Sequence, residues 1–326
     1  MSNRFLKYYA VIFPLCMIIG SVLLYNLIPA SDLPIKTSTA ETPWQAPNLR
    51  WLPVNAETEQ LRYGKELIAN TSKYFGPKGT LAKITNGMEC QNCHIDAGTR
   101  PYGNSFGAVA STYPKYRDRS GKIESIEYRV NECMERSMNG KKIDSTGKEM
   151  KAMVAYLKWL GKDVPKGVKP MGTGTPALPF MDRAANPANG RSVYLAKCQS
   201  CHGKNGEGLP KADSTGYFYP PLWGDHSYNV SAGLYRLSHF AGFVKHNMPF
   251  SKEQTGAQLT DEEAWDVAAF VNSQNRPEKF FTYDWKDITK KPVDYPFGPF
   301  ADNYPPIQHK FGPYGEIKKP LVNLHK

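Results

Sequence analysis

Two pentapeptides constrain this chain more than anything else in it: CQNCH, with Cys90, Cys93 and His94, and CQSCH, with Cys198, Cys201 and His202. The spacing has a chemical reason. Two thiols three residues apart can add to the two vinyl groups of one haem, and the next residue offers an imidazole to the iron, so each pentapeptide is an attachment pattern for c-type haem. Six cysteines and seven histidines in 326 residues do not produce two such strings by accident. Zinc could use the same thiol pairs but would not need histidine at the same offset twice. Disulfides between the neighbouring cysteines explain the histidines no better. Two covalently attached haem c groups are the expected cofactors, and the chain is long enough for two domains to hold them.

The surroundings of the pentapeptides repeat. TGKEMKAMVAYLKWLGKDVP from Thr146 and TDEEAWDVAAFVNSQNRP from Thr260 align without a gap, each opening on T-x-x-E, Thr146 with Glu149 and Thr260 with Glu263. That pattern predicts a capping box. Met150, Met153, Val154 and Leu157 then make one apolar stripe at helical spacing, and Ala264, Val267, Ala268 and Val271 make the other. A helix is also expected before each pentapeptide, in YGKELIAN and NGRSVYLAKC, with Gly64 and Gly190 in comparable places. The chain reads as a duplication. Helix, CxxCH, loops, late ligand and terminal helix resemble class I cytochrome c domains, which implies a mainly α fold with two such domains in tandem. The expected division is 1–31 signal or membrane anchor, 32–57 linker, 58–165 first domain, 166–185 linker, 186–276 second domain and 277–326 an irregular C-terminal tail. The second linker is rich in Pro and Gly, and the tail is rich in Pro and aromatics with no helical or strand period.

Arg4 and Lys7 precede an almost uncharged apolar run, residues 8–30, long enough to cross a bilayer. Ala30 is preceded by Pro29 and Ile28 rather than by the small residues a cleavage site needs, so an uncleaved anchor is favoured over a removed signal. Cys16 lies within the run after Leu15, not after the small residue of a lipoprotein site, and reads as a buried thiol. Export suits haem attachment, and the remainder is expected in the periplasm. The formal charge of +11 favours anions, but the basic residues are scattered and no run resembles a nucleic-acid-binding arm.

Each iron has a proximal histidine, and the opposite axial position tunes its chemistry. In the second domain Met248 of HNMPF is the favoured ligand, standing in the loop before the terminal helix. His246 is its competitor, while His226 and His239 read as ordinary polar residues. The first domain has no Met-Pro in the corresponding loop, and in its place stands Cys133 within RVNECMERSMNG. A helix over residues 124–138 would put Ile126, Val130 and Cys133 on one apolar face, with Asn139-Gly140 as its stop. Arg129 then lies one turn before the thiol and Ser137 one turn after, with Arg119 able to approach from a loop. Free cysteines are often mere core residues, but cations beside this one favour thiolate, which is both a ligand and a nucleophile.

With these residues the chain resembles the dihaem, tetrathionate-forming thiosulfate dehydrogenases, which also act as tetrathionate reductases. The resemblance runs from about residue 45 to the C-terminus. Its most specific parts are RVNECMERSMNG, the interval from His94 to Cys133, NMPF and the tail DWKDITKKPVDYPFGPFADNY. It implies His/Cys ligation at a catalytic haem and a second haem that passes electrons on to a periplasmic or membrane c-type cytochrome or another redox partner. It further implies that Cys133 is distal ligand and catalytic thiol, that Arg119, Arg129 and Ser137 line the pocket for thiosulfate and tetrathionate, and that Met248 is the second haem's ligand. Some members carry lysine just before that methionine; here it is Asn247, so a lysine-for-methionine ligand switch is not expected. Two other classes are open to the same motifs. A purely electron-carrying dihaem cytochrome would not need the arginine-thiol cluster, and a dihaem peroxidase would use a histidine-ligated or open haem.

Overall fold

The computed structural model describes residues 35–37, 42–250 and 258–323. The expected anchor and Cys16 lie outside them, and among the described residues no helix is long and apolar enough to cross a membrane.

A short strand β1, Lys36–Thr37, opens the described chain. Helix α1, Ala56–Ala69, begins where the Asn55 and Thr58 side chains satisfy each other's backbone N–H groups, and it buries Leu61, Leu67 and Ile68. A hairpin follows the first attachment motif, β2 (Lys115–Arg117) antiparallel to β3 (Lys122–Glu124). Helix α2 spans Ile126–Arg136, shorter than the expected 124–138 because Glu124 belongs to β3 and the Ser125 side chain caps the helix at Tyr128 N–H. It also ends two residues short of the expected 138, at Arg136 with Ser137 as C-cap, and the expected breaker follows: Asn139 takes a left-handed φ of 43°, and a Cβ on Gly140 would strike the Ile84 carbonyl. Helix α3, Lys148–Leu160, buries the predicted stripe of Met150, Met153, Val154 and Leu157.

The capping box expected at Thr146 is absent. Gly147 is the N-cap and makes no side-chain bond. Thr146 instead donates its N–H and hydroxyl to Asp144, each at 2.8 Å, while Glu149 accepts from the Tyr63 hydroxyl at 3.1 Å. An acid two residues upstream offers the threonine a tighter local partner than the helix does.

Strand β4, Val168–Lys169, pairs in parallel with β1. The second half then repeats the first. Helix α4 is Pro187–Lys197, followed by the small antiparallel pair β5 (Leu209–Pro210) and β6 (Tyr217–Tyr219), then α5, Leu237–Asn247. Helix α6, Asp261–Ser273, does carry the capping box of Thr260 and Glu263 and buries Ala264, Val267, Ala268 and Val271. The paired glycines explain the repeat physically. A Cβ on Gly64 would run into the Ala152 carbonyl of α3, and one on Gly190 into the Asp266 carbonyl of α6. In both halves, glycine lets the first helix cross the last at backbone contact. The mainly helical chain thus has two cores, one on α1 and α3, the other on α4, α5 and α6.

The tail is irregular only at first. Beyond a single turn at Ile288–Lys290 it ends in two helices, α7 (Pro306–Phe311) and α8 (Tyr314–Asn323), which corrects the expectation of coil throughout. Pro306 starts α7, Gly312 at φ 84° ends it, and Pro313 precedes α8, so proline and glycine mark boundaries here rather than disorder. Tyr314 and Ile317 are buried in the second core.

Candidate functional site

The first attachment motif is a single helical turn, Cys90–Cys93, with His94 as its C-cap. His94 Nδ1 lies 2.6 Å from the Asn104 carbonyl oxygen, and Phe106 stacks on the ring at 4.2 Å. A carbonyl can only accept, so Nδ1 carries the proton and Nε2 keeps its lone pair. Burial pushes His94 down to about 4, so the imidazole is neutral around pH 7, the form a metal needs. The second motif repeats the device: His202 Nδ1 lies 2.9 Å from the Pro220 carbonyl, and burial again lowers the ring's proton affinity.

A cavity of about 220 Å³ joins Cys90, Cys93 and His94 to Cys133, Arg129 and Ser137. Its other walls include Ile68, Val109, Met153 and Leu157, an apolar lining suited to a porphyrin face. Helix periodicity sets the rest: positions 126, 130, 133 and 137 of the α2 region all face this cavity, and Arg129 lies beside them. Elsewhere, the Arg276 guanidinium packs over Tyr228 at 4.2 Å and gives Nη2 to the Val271 carbonyl, while Nε and Nη1 have no partner among the described residues.

Arg129 is the hinge of the electrostatics. The charge of a Cys133 thiolate, the largest influence on it, raises its proton affinity against the opposing effect of burial. Its Nη1 also donates to Glu132 at 3.1 Å. Glu132 in turn accepts from Arg136 at 3.2 Å, and Arg136 closes a bidentate pair with Asp284 at 2.7 Å for both bonds. Burial alone would raise the Glu132 carboxyl, but Arg129, Arg136, Arg119 and Arg117 outweigh it and hold it below the ordinary carboxylate range.

Arg119 is placed one step away. It lines an adjoining pocket of about 430 Å³ whose wall Arg129 shares, and it is absent from the Cys133 cavity. Its Nη1 reaches the Ser231 carbonyl at 3.5 Å and its guanidinium lies over the Trp285 ring at 5.6 Å. The structure therefore brings Cys133, Arg129 and Ser137 together with the first attachment motif and sets Arg119 behind Arg129.

In the second half Met248 is the C-cap of α5, partly buried against the second core. His246 turns its Nδ1 to the Gly242 carbonyl at 2.9 Å and stacks on Tyr102 of the first half. His239 accepts from Arg236 at 3.0 Å, and burial with that cation pushes it down to about 4.

Glu132, Arg136 and Asp284 are absent from the residues singled out by sequence. The first two carry a legible signal, since Arg129, Glu132 and Arg136 stand at i+3 and i+4 spacing on one helix. Asp284 carries none, because only folding brings the tail across α2.

Comparison with known proteins agrees with this geometry. Residues 81–165 match the family described as SoxA/TsdA, cytochrome c domain, and residues 187–275 match cytochrome c. A thiosulfate dehydrogenase of Stutzerimonas stutzeri is 35% identical over 269 residues, covering 81% of this chain and 84% of the relative. One of Allochromatium vinosum is 36% identical over 230 residues, covering 69% and 82%. The solved thiosulfate dehydrogenase (TsdBA) of Marichromatium purpuratum superposes with a TM-score of 0.67 at 31% identity, covering 73% of this chain and 50% of that one. This chain thus spans half the length of that structure's chain.

Proposed function

Because the chain belongs to the thiosulfate dehydrogenase family, we propose that it interconverts thiosulfate and tetrathionate, joining two thiosulfates with release of two electrons or running the same reaction backwards. The observation that carries this reading is the single cavity in which Cys133, Arg129 and Ser137 meet Cys90, Cys93 and His94. Two haem c groups, attached at Cys90 and Cys93 and at Cys198 and Cys201, supply the sink for the electrons when bound. His94 and Cys133 would hold the first iron, His202 and Met248 the second; His/Met ligation favours a high potential and so an electron exit.

The remaining work falls to side chains. Thiosulfate is a dianion, and Arg129 binds its sulfonate oxygens by charge-assisted hydrogen bonds, with Ser137 donating a further one and Arg119 adding positive charge from behind. The nucleophilic form of Cys133 is the thiolate. A bond forms between Cys133 Sγ and the outer sulfur of one thiosulfate, and two electrons leave. The outer sulfur of a second thiosulfate then attacks that same sulfur, breaks its bond to Cys133, departs as tetrathionate and returns the thiolate.

In this reading residues 58–165 form the catalytic half and 186–276 the exit half, while 277–326 brace them. The protein acts in the periplasm, with residues 8–30 as export segment or anchor and a c-type cytochrome or similar carrier as acceptor.

Thiosulfate-dependent reduction of ferricyanide by the full-length holoprotein tests the reading. Cys133→Gly is expected to lose at least about 1,000-fold in turnover with both haems retained. Equal turnover in that variant would sink the covalent step. An intact protein silent with thiosulfate and with tetrathionate would instead be an electron carrier, and peroxide consumption would point to a peroxidase.

A further inference from the structure

The chemistry just described brings a second thiosulfate dianion up to a sulfur that already carries the sulfonate of the first, and like charges repel at close range. The Cys133 cavity accounts for one of them. The pocket of about 430 Å³ behind Arg129 is lined by Lys115, Arg117, Arg119, Arg129, Arg236 and Lys290, with Asp118 the one carboxylate among its lining residues. Two of these cations are spent on acids, Arg129 on Glu132 at 3.1 Å and Arg236 on Asp294 at 2.6 Å. Among the described residues, Lys115, Arg117 and Arg119 have no carboxylate within ion-pair distance.

Local structure explains why they stay unpaired. Strand alternation puts Lys115 and Arg117 on the same, half-buried face of β2 and leaves Tyr116 exposed between them. Glu124 stands opposite Lys115 in the hairpin register but makes no ion pair with it: Oε1 accepts from the Ser120 hydroxyl at 2.7 Å, and Oε2 is buried without a hydrogen-bond partner among the described residues. Burial first, then the charges of Arg117, Lys169 and Arg129, push the Lys115 ammonium down to about 8. Cations crowded into a partly buried pocket whose lining offers one exposed carboxylate, Asp118, are costly unless an anion joins them.

We propose that Lys115, Arg117 and Arg119 form an outer anion site that holds the second thiosulfate while the first lies against Cys133, with Arg129 as the shared wall between the two positions. This rests on the thiosulfate reading above and assigns it a second substrate position. The exposed Tyr116 and Asp118 at the same pocket make it the outer of the two. In the reverse direction the same cations receive the departing half of tetrathionate.

Two measurements test the outer site. In steady-state oxidation by the holoprotein, Lys115→Gln/Arg117→Gln is expected to raise KM for thiosulfate about tenfold or more, with a much smaller change in kcat, and to flatten the dependence of kcat/KM on ionic strength. Lys115→Arg/Arg117→Lys should restore a near-parental KM, which separates charge from folding. Lys122→Gln removes a charge from the same hairpin outside the pocket and should leave both constants as they were. Calorimetric titration of thiosulfate into the Cys133→Gly holoprotein gives a readout free of turnover. Two ions per chain are expected, falling to one when Lys115 and Arg117 are also changed to Gln. An unchanged KM together with one ion per chain in both backgrounds overturns the outer site even where the parent turns over. A parent silent in both directions overturns the reaction itself.

Discussion

The two halves share a frame and differ in the helix placed between the attachment motif and the last helix. In the second half that helix is α5, which buries Leu237, Phe240, Ala241, Phe243 and Val244 and ends in Met248. In the first half it is α2, which buries Asn131, Glu132 and Arg136 beside Cys133. Burying hydrocarbon stabilises a helix directly, whereas burying ions costs several kcal/mol each unless partners surround them. An arginine-thiol site therefore requires support from elsewhere. The C-terminal segment supplies it, and sends one acid to each helix. Asp284 closes the Arg136 pair at the C-terminal end of α2. Asp294 accepts from the Ser238 N–H at 3.1 Å and from Arg236 at the N-terminus of α5, where the helix dipole also favours an anion.

The sharpest break would come at those two acids. Asp284→Asn leaves a guanidinium whose side chain is 2% exposed short of its counter-charge, and is expected to cost about 3–5 kcal/mol of stability. Asp294→Asn should cost less, about 1–2 kcal/mol, because Arg236 is 20% exposed and can be hydrated. Denaturant unfolding of the holoprotein measures both, and the reverse order would mean that α5, not α2, depends more on the tail. Next come the glycines, where the halves should agree. Gly64→Ala and Gly190→Ala each force two helices apart at a backbone contact, and each is expected to lose about 1–3 kcal/mol. A large loss at one and none at the other would mean that the helix crossing is not a shared device. The smallest effect is one of slope. Glu132 is held below its ordinary value of 4.5, so its ionised form stabilises the fold fully above about that pH and the contribution is lost as pH falls through the depressed value. Glu132→Gln should flatten the acid limb of the stability curve by at most about 1.4 kcal/mol per pH unit, one proton's worth. An unchanged limb would show that the arginines do not hold this carboxylate in the folded state.

Much of this was legible because it is local. The stripes of α3 and α6, the Thr260 box, the stop at Asn139-Gly140 and the grouping of Cys133 with Arg129 and Ser137 all follow from helix periodicity and capping. The Thr146 box failed for a reason of the same kind, a closer acid at Asp144. The helices of the tail were missed because α7 is six residues long and its prolines read as punctuation.

What the sequence determined by itself was chemistry of short range: two haem attachment motifs with histidine at the following position, a duplicated helical frame, and one thiol flanked by a cation and a hydroxyl one turn to either side. What only the tertiary structure decided was which charges are neutralised. Asp284 reaches Arg136 across 148 positions of chain, Arg119 stands behind Arg129 rather than beside the thiol, and Lys115 forms no ion pair with Glu124 although the two are opposite each other in the hairpin. Electrostatic pairing depends on distances of a few ångströms between segments that the linear order does not relate, so no pattern along the chain could have assigned those partners.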